Sequence, residues 1–121
     1  MMQSDYQKKI KPWGFEEILA NNGKYVMKKI TITKGQRMSL QYHDIKEETI
    51  YVVSGLLVVW KSKDIYDVVT LNPGEVYHVN PKEIHRFGAP DIFDTVVIEC
   101  STCELEDVVR LDDDYGRKRH N

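Results

Sequence analysis

Four side chains of types that bind divalent metal ions occur along the middle of the sequence. Gln41 and His43 are two positions apart, Glu48 comes after four further residues, and His85 follows much later. Residues two apart on a β-strand point to the same face, so Gln41 and His43 would lie side by side. Glu48 would begin the antiparallel partner strand, and His85 would come from a strand further along. Such amide, imidazole and carboxylate groups suit a borderline or hard divalent ion.

The same residue types can also share a polar surface by chance. Leu40 and Tyr42 alternate with Gln41 and His43, which favours a strand with one polar face. The alternation does not show whether that face points into the protein. A metal site and a solvated face therefore both stay open at this point.

The segments that must position these residues have the pattern of short β-strands. Apolar runs alternate with turn signals at Asn72-Pro73-Gly74 and Asn80-Pro81. Ser54-Gly55 predicts a tight hairpin turn. We therefore expect an all-β fold, an antiparallel sandwich or barrel. The expected strands are 24–33, 36–43, 49–53, 56–60, 65–71, 75–79 and 92–100.

Helical signals are weak. The segment from Phe15 to Ala20 predicts one or two helical turns, ended by the cluster Asn21-Asn22-Gly23. The segment from Glu104 to Val109 predicts one more helical turn.

Length and charge limit the classes of function. The 121 residues are the length of one domain, 1–121, and 41% are hydrophobic, which allows a core to form without disulfides. Basic residues number 17 against 19 acidic ones, a net charge of -2 that argues against general nucleic-acid binding. The longest apolar run, from Leu56 to Trp60, is far too short to cross a membrane.

The N-terminal residues and the cysteines suggest a compartment. Residues 1–5 lack the apolar core of a signal peptide, so we expect a cytoplasmic protein. Cys100 and Cys103 would then be structural thiols, since a zinc site would need a second ligand pair that is absent.

Further short motifs extend over nearly the whole chain. They are Lys11-Pro12-Trp13-Gly14, Ser39-Leu40-Gln41-Tyr42-His43, Glu48 with Val52-Val53-Ser54-Gly55, Asn72-Pro73-Gly74-Glu75, Ile84-His85-Arg86 and the stretch from Val109 to Arg117. On these motifs the chain resembles the cupins. It is more closely similar to the isomerase domain of type II mannose-6-phosphate isomerases, a domain often fused to a mannose-1-phosphate guanylyltransferase.

The resemblance implies a fold, a metal and a reaction. The fold would be a cupin double-stranded β-helix, an antiparallel jelly-roll barrel. One divalent ion, expected to be zinc, would be bound by Gln41, His43, Glu48 and His85. The reaction would convert mannose 6-phosphate to fructose 6-phosphate in a homodimer. The guanylyltransferase half has no room in this length, so isomerisation alone is expected.

Three cations are candidates for binding the phosphate of such a substrate. Arg37 shares the strand parity of Gln41, so it should face the same cavity. Lys46 stands where the family has an arginine within its metal motif, and Arg117 ends the D-D-Y-G-R match. Each could equally be a solvated surface cation.

The sequence leaves the general base unassigned. Asp44 and Glu47 lie beside the metal-ligand candidates but could be exposed loop carboxylates. His78 should point to solvent, because Tyr77 and Val79 occupy the more apolar face of its strand.

Two departures from the family leave alternatives open. Asp44-Ile45 replaces two histidines, and Asn80-Pro81-Lys82 replaces a Pro-x-Gly turn. All four ligand positions are kept, so metal binding is still expected, whereas the choice of substrate could change. The alternatives are a non-catalytic sugar-binding cupin and a different metal-dependent cupin enzyme, such as a dioxygenase or another sugar isomerase or epimerase.

Overall fold

Antiparallel β-strands form the framework of the protein in the computed structural model, which describes residues 6–120. Residues 1–5, where no signal peptide was expected, lie outside the described residues. Among residues 6–120 no helix is long and apolar enough to cross a bilayer. The strands are β1 (Gln7–Lys11), β2 (Gly14–Asn21), β3 (Val26–Ile32), β4 (Leu40–Tyr42), β5 (Glu48–Ser54), β6 (Leu57–Trp60), β7 (Val68–Leu71), β8 (Val76–Val79), β9 (Arg86–Gly88), β10 (Thr95–Ser101) and β11 (Val109–Asp112).

The strands form two layers with a shared core. One layer is a six-stranded sheet in the order β1-β2-β3-β10-β5-β8. The other combines the sheet β7-β6-β9 with the pair β11-β4, and the bridges Gln41–His85 and Arg37–Gly88 connect them. This is the antiparallel all-β architecture that the alternating segments predict.

Alternation along each strand fills the space between the layers. In β3 the residues at positions 26, 28, 30 and 32 are buried, and the residues between them are more exposed. Apolar side chains from both layers meet in one core cluster. Its buried members are Trp13, Ile30, Ile32, Ile50, Val52, Leu57, Val59, Leu71, Val79, Phe87, Ala89 and Val97.

Both predicted helical segments are wrong. The segment 15–20 lies in β2, which pairs with β1 on one side and β3 on the other. Glu16 and Ile18 point inward from it, because pairing with two neighbours imposes the strand period. Residues 104–108 form turns rather than a helix, with Asp107 N donating to Glu104 O at 3.3 Å.

The predicted hairpin at Ser54-Gly55 is also wrong, because the chain changes layers there. β5 pairs with β10 and β8, whereas β6 pairs with β7 and β9. Gly55 has φ +83°, and a Cβ at this position would lie 2.4 Å from the carbonyl oxygen of Asp94. Only glycine fits this corner without strain. The turns expected near residues 73 and 81 are present.

Candidate metal centre

Strand pairing brings the four metal-ligand candidates together. Gln41 lies in β4, His43 follows the end of that strand, and His85 directly precedes β9. Backbone hydrogen bonds run in both directions between Gln41 and His85, at 3.0 and 2.9 Å. Glu48 is the first residue of β5 in the opposite layer. The site therefore depends on contacts between distant segments.

Three of these side chains converge in the interior. His43, Glu48 and His85 are 3%, 3% and 1% exposed. One possible ligand atom from each lies within 4.8 Å of the other two. His43 Nε2 is 3.1 Å and His85 Nε2 is 3.5 Å from Glu48 Oε1. The three groups surround a common point, as the ligands of a metal ion do.

The hydrogen-bond partner of Nδ1 determines the tautomer of each of the two imidazoles. His43 Nδ1 contacts the backbone oxygen of Asp107, and His85 Nδ1 lies 3.0 Å from the backbone oxygen of Glu83. A carbonyl oxygen only accepts, so each Nδ1 carries a proton and each neutral ring keeps its lone pair on Nε2.

The free nitrogens fit a metal ion. His85 Nε2 is buried and has no hydrogen-bond partner among the described residues. Donation of the far N–H to a carbonyl is the usual arrangement of a metal-binding histidine. The chemistry of His43, Glu48 and His85 therefore matches what a divalent ion requires.

Gln41 reaches the edge of this triad with its amide oxygen turned away. Its Nε2 lies 3.5 Å from His43 Nε2, while its Oε1 accepts from Ser39 Oγ at 2.6 Å. An amide binds a metal through oxygen, so Gln41 would join the site only after its amide rotated. The Ser39 hydroxyl could then accept from the amide NH₂ group.

A buried ion pair lies beside the triad. Lys46 Nζ is 3.1 Å from Glu99 Oε2. Burial opposes ionisation of Glu48, but the charge of Lys46 and then the neighbouring imidazoles of His43 and His85 hold the pKa of Glu48 well below its usual range. Burial likewise opposes the charge of Lys46, yet the two carboxylates raise its pKa. Burial and the Glu48 charge raise the pKa of Glu99 to about 7. Glu48 is thus held in the ionised form that can bind a metal ion.

Asp107 holds the loop between His43 and Glu48. Its carboxylate accepts from the backbone N–H groups of residues 44, 45 and 46 at 3.1, 2.8 and 3.0 Å. Burial tends to raise the pKa of Asp107, but these three donors outweigh it and lower the pKa. The same residue orients His43 through its backbone oxygen.

The three candidates for a general base lie outside the interior. Asp44 and Glu47 are exposed. His78 is exposed as expected, and its Nε2 lies 2.8 Å from Glu47 Oε2. The cysteines at positions 100 and 103 are free.

A cavity lies next to the triad and is lined by both charges. Its apolar wall includes Trp13, Ile30 and Phe87. Its charged lining consists of Lys11, Glu16, Lys28, Lys46, Glu48, Glu99, Arg110 and Arg117.

Of the three predicted phosphate-binding residues, two line this cavity and Arg37 does not. Arg37 instead binds Asp114, with Nε–Oδ2 at 2.6 Å and Nη2–Oδ1 at 3.0 Å, and its guanidinium lies over the Trp60 ring. The expected shared face fails because β4 begins only at Leu40, so the strand parity does not extend back to position 37. Arg117 lines the cavity while forming a two-pronged ion pair with Asp113.

Five charged residues of the lining were missed by sequence reasoning: Lys11, Glu16, Lys28, Glu99 and Arg110. Two of them had a visible signal. Lys28 occupies an inward position between Val26 and Ile30, and Glu99 follows Val97 on the inward face of β10. A charged residue within an otherwise apolar row indicates a buried polar site.

Comparison with known proteins identifies relatives of the chain. Residues 2–113 match the family model described as mannose-6-phosphate isomerase C-terminal. The alginate biosynthesis protein AlgA of Pseudomonas aeruginosa is 29% identical over 110 residues, which cover 88% of this chain and 22% of AlgA. A mannose-1-phosphate guanylyltransferase of Escherichia coli is 31% identical over 110 residues, with the same two coverages of 88% and 22%. The chain thus spans less than a quarter of the length of these relatives.

Solved structures share the fold. An RmlC-like cupin from Shewanella frigidimarina superposes with a TM-score of 0.71 at 20% identity, covering 88% of this chain and 91% of that one. The polyketide cyclase RemF from Streptomyces resistomycificus gives a TM-score of 0.74 at 16% identity, covering 98% of this chain and 87% of that one. The cupin double-stranded β-helix expected from the sequence is confirmed.

Proposed function

Because the chain belongs to the mannose-6-phosphate isomerase C-terminal family, we propose that it is a metal-dependent sugar-phosphate isomerase. The proposed reaction converts mannose 6-phosphate to fructose 6-phosphate. One observation carries the proposal: His43, Glu48 and His85 converge beside a cavity that is lined by cations. A buried site of this kind is costly to maintain without a ligand.

His43, Glu48 and His85 would hold the metal ion, joined by Gln41 once its amide has rotated. We propose zinc, which accepts nitrogen and oxygen ligands of this kind. A bound ion would stabilise negative charge on the oxygens at C1 and C2 of the sugar. The lone pairs on the two Nε2 atoms and the ionised state of Glu48 support this assignment.

Aldose–ketose isomerisation also needs a group that moves a proton between C1 and C2. Two carboxylates outside the triad line the cavity, Glu16 and Glu99. Glu99 is the one that interacts directly with Glu48, so it lies beside the metal site. We assign it the proton-carrying role, with Lys46 balancing its charge at 3.1 Å.

An assay of turnover tests the proposal. Metal-loaded protein is supplied with mannose 6-phosphate, and fructose 6-phosphate is measured by a coupled reaction. We expect fructose 6-phosphate from the wild type and none from His43→Ala, together with loss of metal from the variant. Binding of the sugar phosphate without turnover would favour the alternative, a non-catalytic sugar-binding cupin.

The homodimer and the cytoplasmic location stay predictions. Apolar side chains on the outer side of β5 and β8 support a dimer through that sheet: Tyr51, Val53 and Val76 are 47%, 44% and 57% exposed. Light scattering on the purified protein would measure its mass in solution.

A further inference from the structure

Two of the cations that line the cavity form no ion pair with a carboxylate of the described residues. Three of the five lysines and arginines in its lining form ion pairs: Lys28 with Glu16, Lys46 with Glu99, and Arg117 with Asp113. Within residues 6–120, Lys11 and Arg110 form no ion pair with a carboxylate. Among the described residues, the five cations of the lining outnumber its three carboxylates and Asp113, which leaves a net positive charge at the cavity.

Arg110 is the more constrained of the two. It lies in β11, and its Nη1 donates to the backbone oxygen of Lys118 at 3.2 Å. Its Nε is buried and has no hydrogen-bond partner in the described part of the chain. A buried donor on a charged group is unfavourable until an acceptor occupies it. Arg110 thus lines the cavity and carries a donor that has no acceptor among the described residues.

The lowered pKa values of Lys11 and Arg110 are consistent with an excess of positive charge at the cavity. Burial lowers the pKa of Lys11; Glu16 opposes this, and Lys28, Lys9 and Arg117 add to it. Burial and then Arg117 lower the pKa of Arg110. The charge of Arg117 acts on both residues, and all three cations line the same cavity.

We propose that Lys11, Arg110 and Arg117 form the subsite that binds the phosphate monoester of the substrate. This inference rests on the proposed function and deepens it. Among the described residues, Asp113 is the one carboxylate in an ion pair with these three cations, and a phosphate monoester brings about 1.5 to 2 negative charges at neutral pH.

The chemistry of each group suits that role. Arg117 is held by Asp113 at 2.9 Å through both Nε and Nη2, which fixes the plane of its guanidinium. A planar guanidinium matches phosphate oxygens, and the Lys11 amine adds a compact charge. The subsite replaces Arg37, which lies outside the cavity, and Lys46, whose amine is engaged by Glu99.

Calorimetric titration tests the subsite with three probes: mannose 6-phosphate, inorganic phosphate and mannose. The variants are Lys11→Met and Arg110→Gln, matched by Lys24→Met and Arg119→Gln at exposed positions. We expect each cavity variant to weaken binding of both phosphate probes about tenfold or more, as loss of a charge-assisted hydrogen bond does. Both controls should stay within about twofold of the wild type, and the affinity for mannose should not change.

Three results would overturn the subsite. One is mannose 6-phosphate binding no tighter than mannose. Another is wild-type affinity in both cavity variants, and a third is an equal loss in the exposed controls. Should Arg110→Gln fail to fold, Lys11→Met decides alone, because Lys11 ends the edge strand β1.

Turnover separates this inference from the isomerase proposal. Tight, Lys11-dependent binding of mannose 6-phosphate without fructose 6-phosphate formation would leave the subsite standing and remove the isomerase. Turnover with an unchanged KM in both cavity variants would do the reverse.

Discussion

The inward-facing rows of the barrel differ sharply between their two ends, although the same strands build both. In β5 the buried residue Glu48 is followed inward by Ile50 and Val52. In β10 the order is reversed along the chain, and Val97 precedes Glu99. These strands are antiparallel neighbours, so the carboxylates of Glu48 and Glu99 fall at the same end. We call this the charged end, and the region around Ile50, Val52 and Val97 the apolar end.

The comparison shows that the backbone does not decide where charge is buried. Both ends have the same alternation of inward and outward side chains and belong to the same antiparallel pair, whose register shifts between Val96 and Val97. Apolar side chains of similar volume would stabilise the charged end at least as well, because desolvation offsets much of the attraction in a buried ion pair. The proposed metal and substrate therefore account for the charged end, whereas the apolar end contributes to the free energy of unfolding.

Loss of the triad carboxylate is the largest expected effect. Glu48→Gln keeps the volume of the side chain and removes its negative charge. We expect loss of bound metal and a fall in turnover of about 10³-fold or more, since a metal ion contributes several kcal/mol to charge stabilisation. Metal analysis and the isomerase assay on the same sample provide the measurement.

The neighbouring exposed carboxylate is the control for that experiment. Glu47→Gln changes the same charge one residue away, at a side chain that is 48% exposed. It should keep both metal and turnover. Full metal content in Glu48→Gln would show that the charged end is not a metal site.

Breaking the buried ion pair should destabilise the fold more than a typical substitution does. Lys46→Met removes the cation that pairs with Glu99 and whose charge acts on the ionised Glu48, and both side chains of the pair are at most 7% exposed. We expect the free energy of unfolding to fall by about 3–5 kcal/mol in urea denaturation. Lys46→Met combined with Glu99→Gln should recover most of that loss without recovering turnover. A double variant no more stable than Lys46→Met alone would refute the pairing.

Much of the fold followed from local patterns, but the assembly of the site did not. Alternation located strands such as β3 and β5, whereas Phe15 to Ala20 was assigned as helix because its period is ambiguous in a short run. Pairing with β1 and β3 makes this segment a strand, and the local sequence does not show which strands will pair. Arg37 was misplaced for a related reason: strand parity holds only while the strand continues, and β4 begins at Leu40.

A substitution at the apolar end should affect stability and leave the metal site intact. Ile50 is fully buried, two residues beyond Glu48 on the same strand. Ile50→Ala should lower the free energy of unfolding by about 2–5 kcal/mol, through lost burial and the cavity left behind. Ile10→Ala, at a position of β1 that is 76% exposed, should change it by less than about 0.5 kcal/mol. Metal lost from folded Ile50→Ala would mean that the two ends are not separable.

The smallest expected effect concerns Arg37, which belongs to neither end. Its hydrogen bond holds the pKa of Asp114 below the ordinary value of about 3.9, although burial opposes this. A carboxyl whose pKa is lowered by folding stabilises the protein above its unfolded pKa, and that contribution disappears as the pH falls through the folded pKa. Since Asp114 is largely solvated, Asp114→Asn should cost under about 1 kcal/mol at pH 7, and the difference from wild type should shrink towards pH 3. Urea denaturation at the two pH values measures this, and a difference that grows on acidification would exclude the pair as its cause.

Arg37→Ala should show the same small loss with an unchanged KM for mannose 6-phosphate. A raised KM with unchanged stability would instead return Arg37 to the substrate and contradict its position outside the cavity.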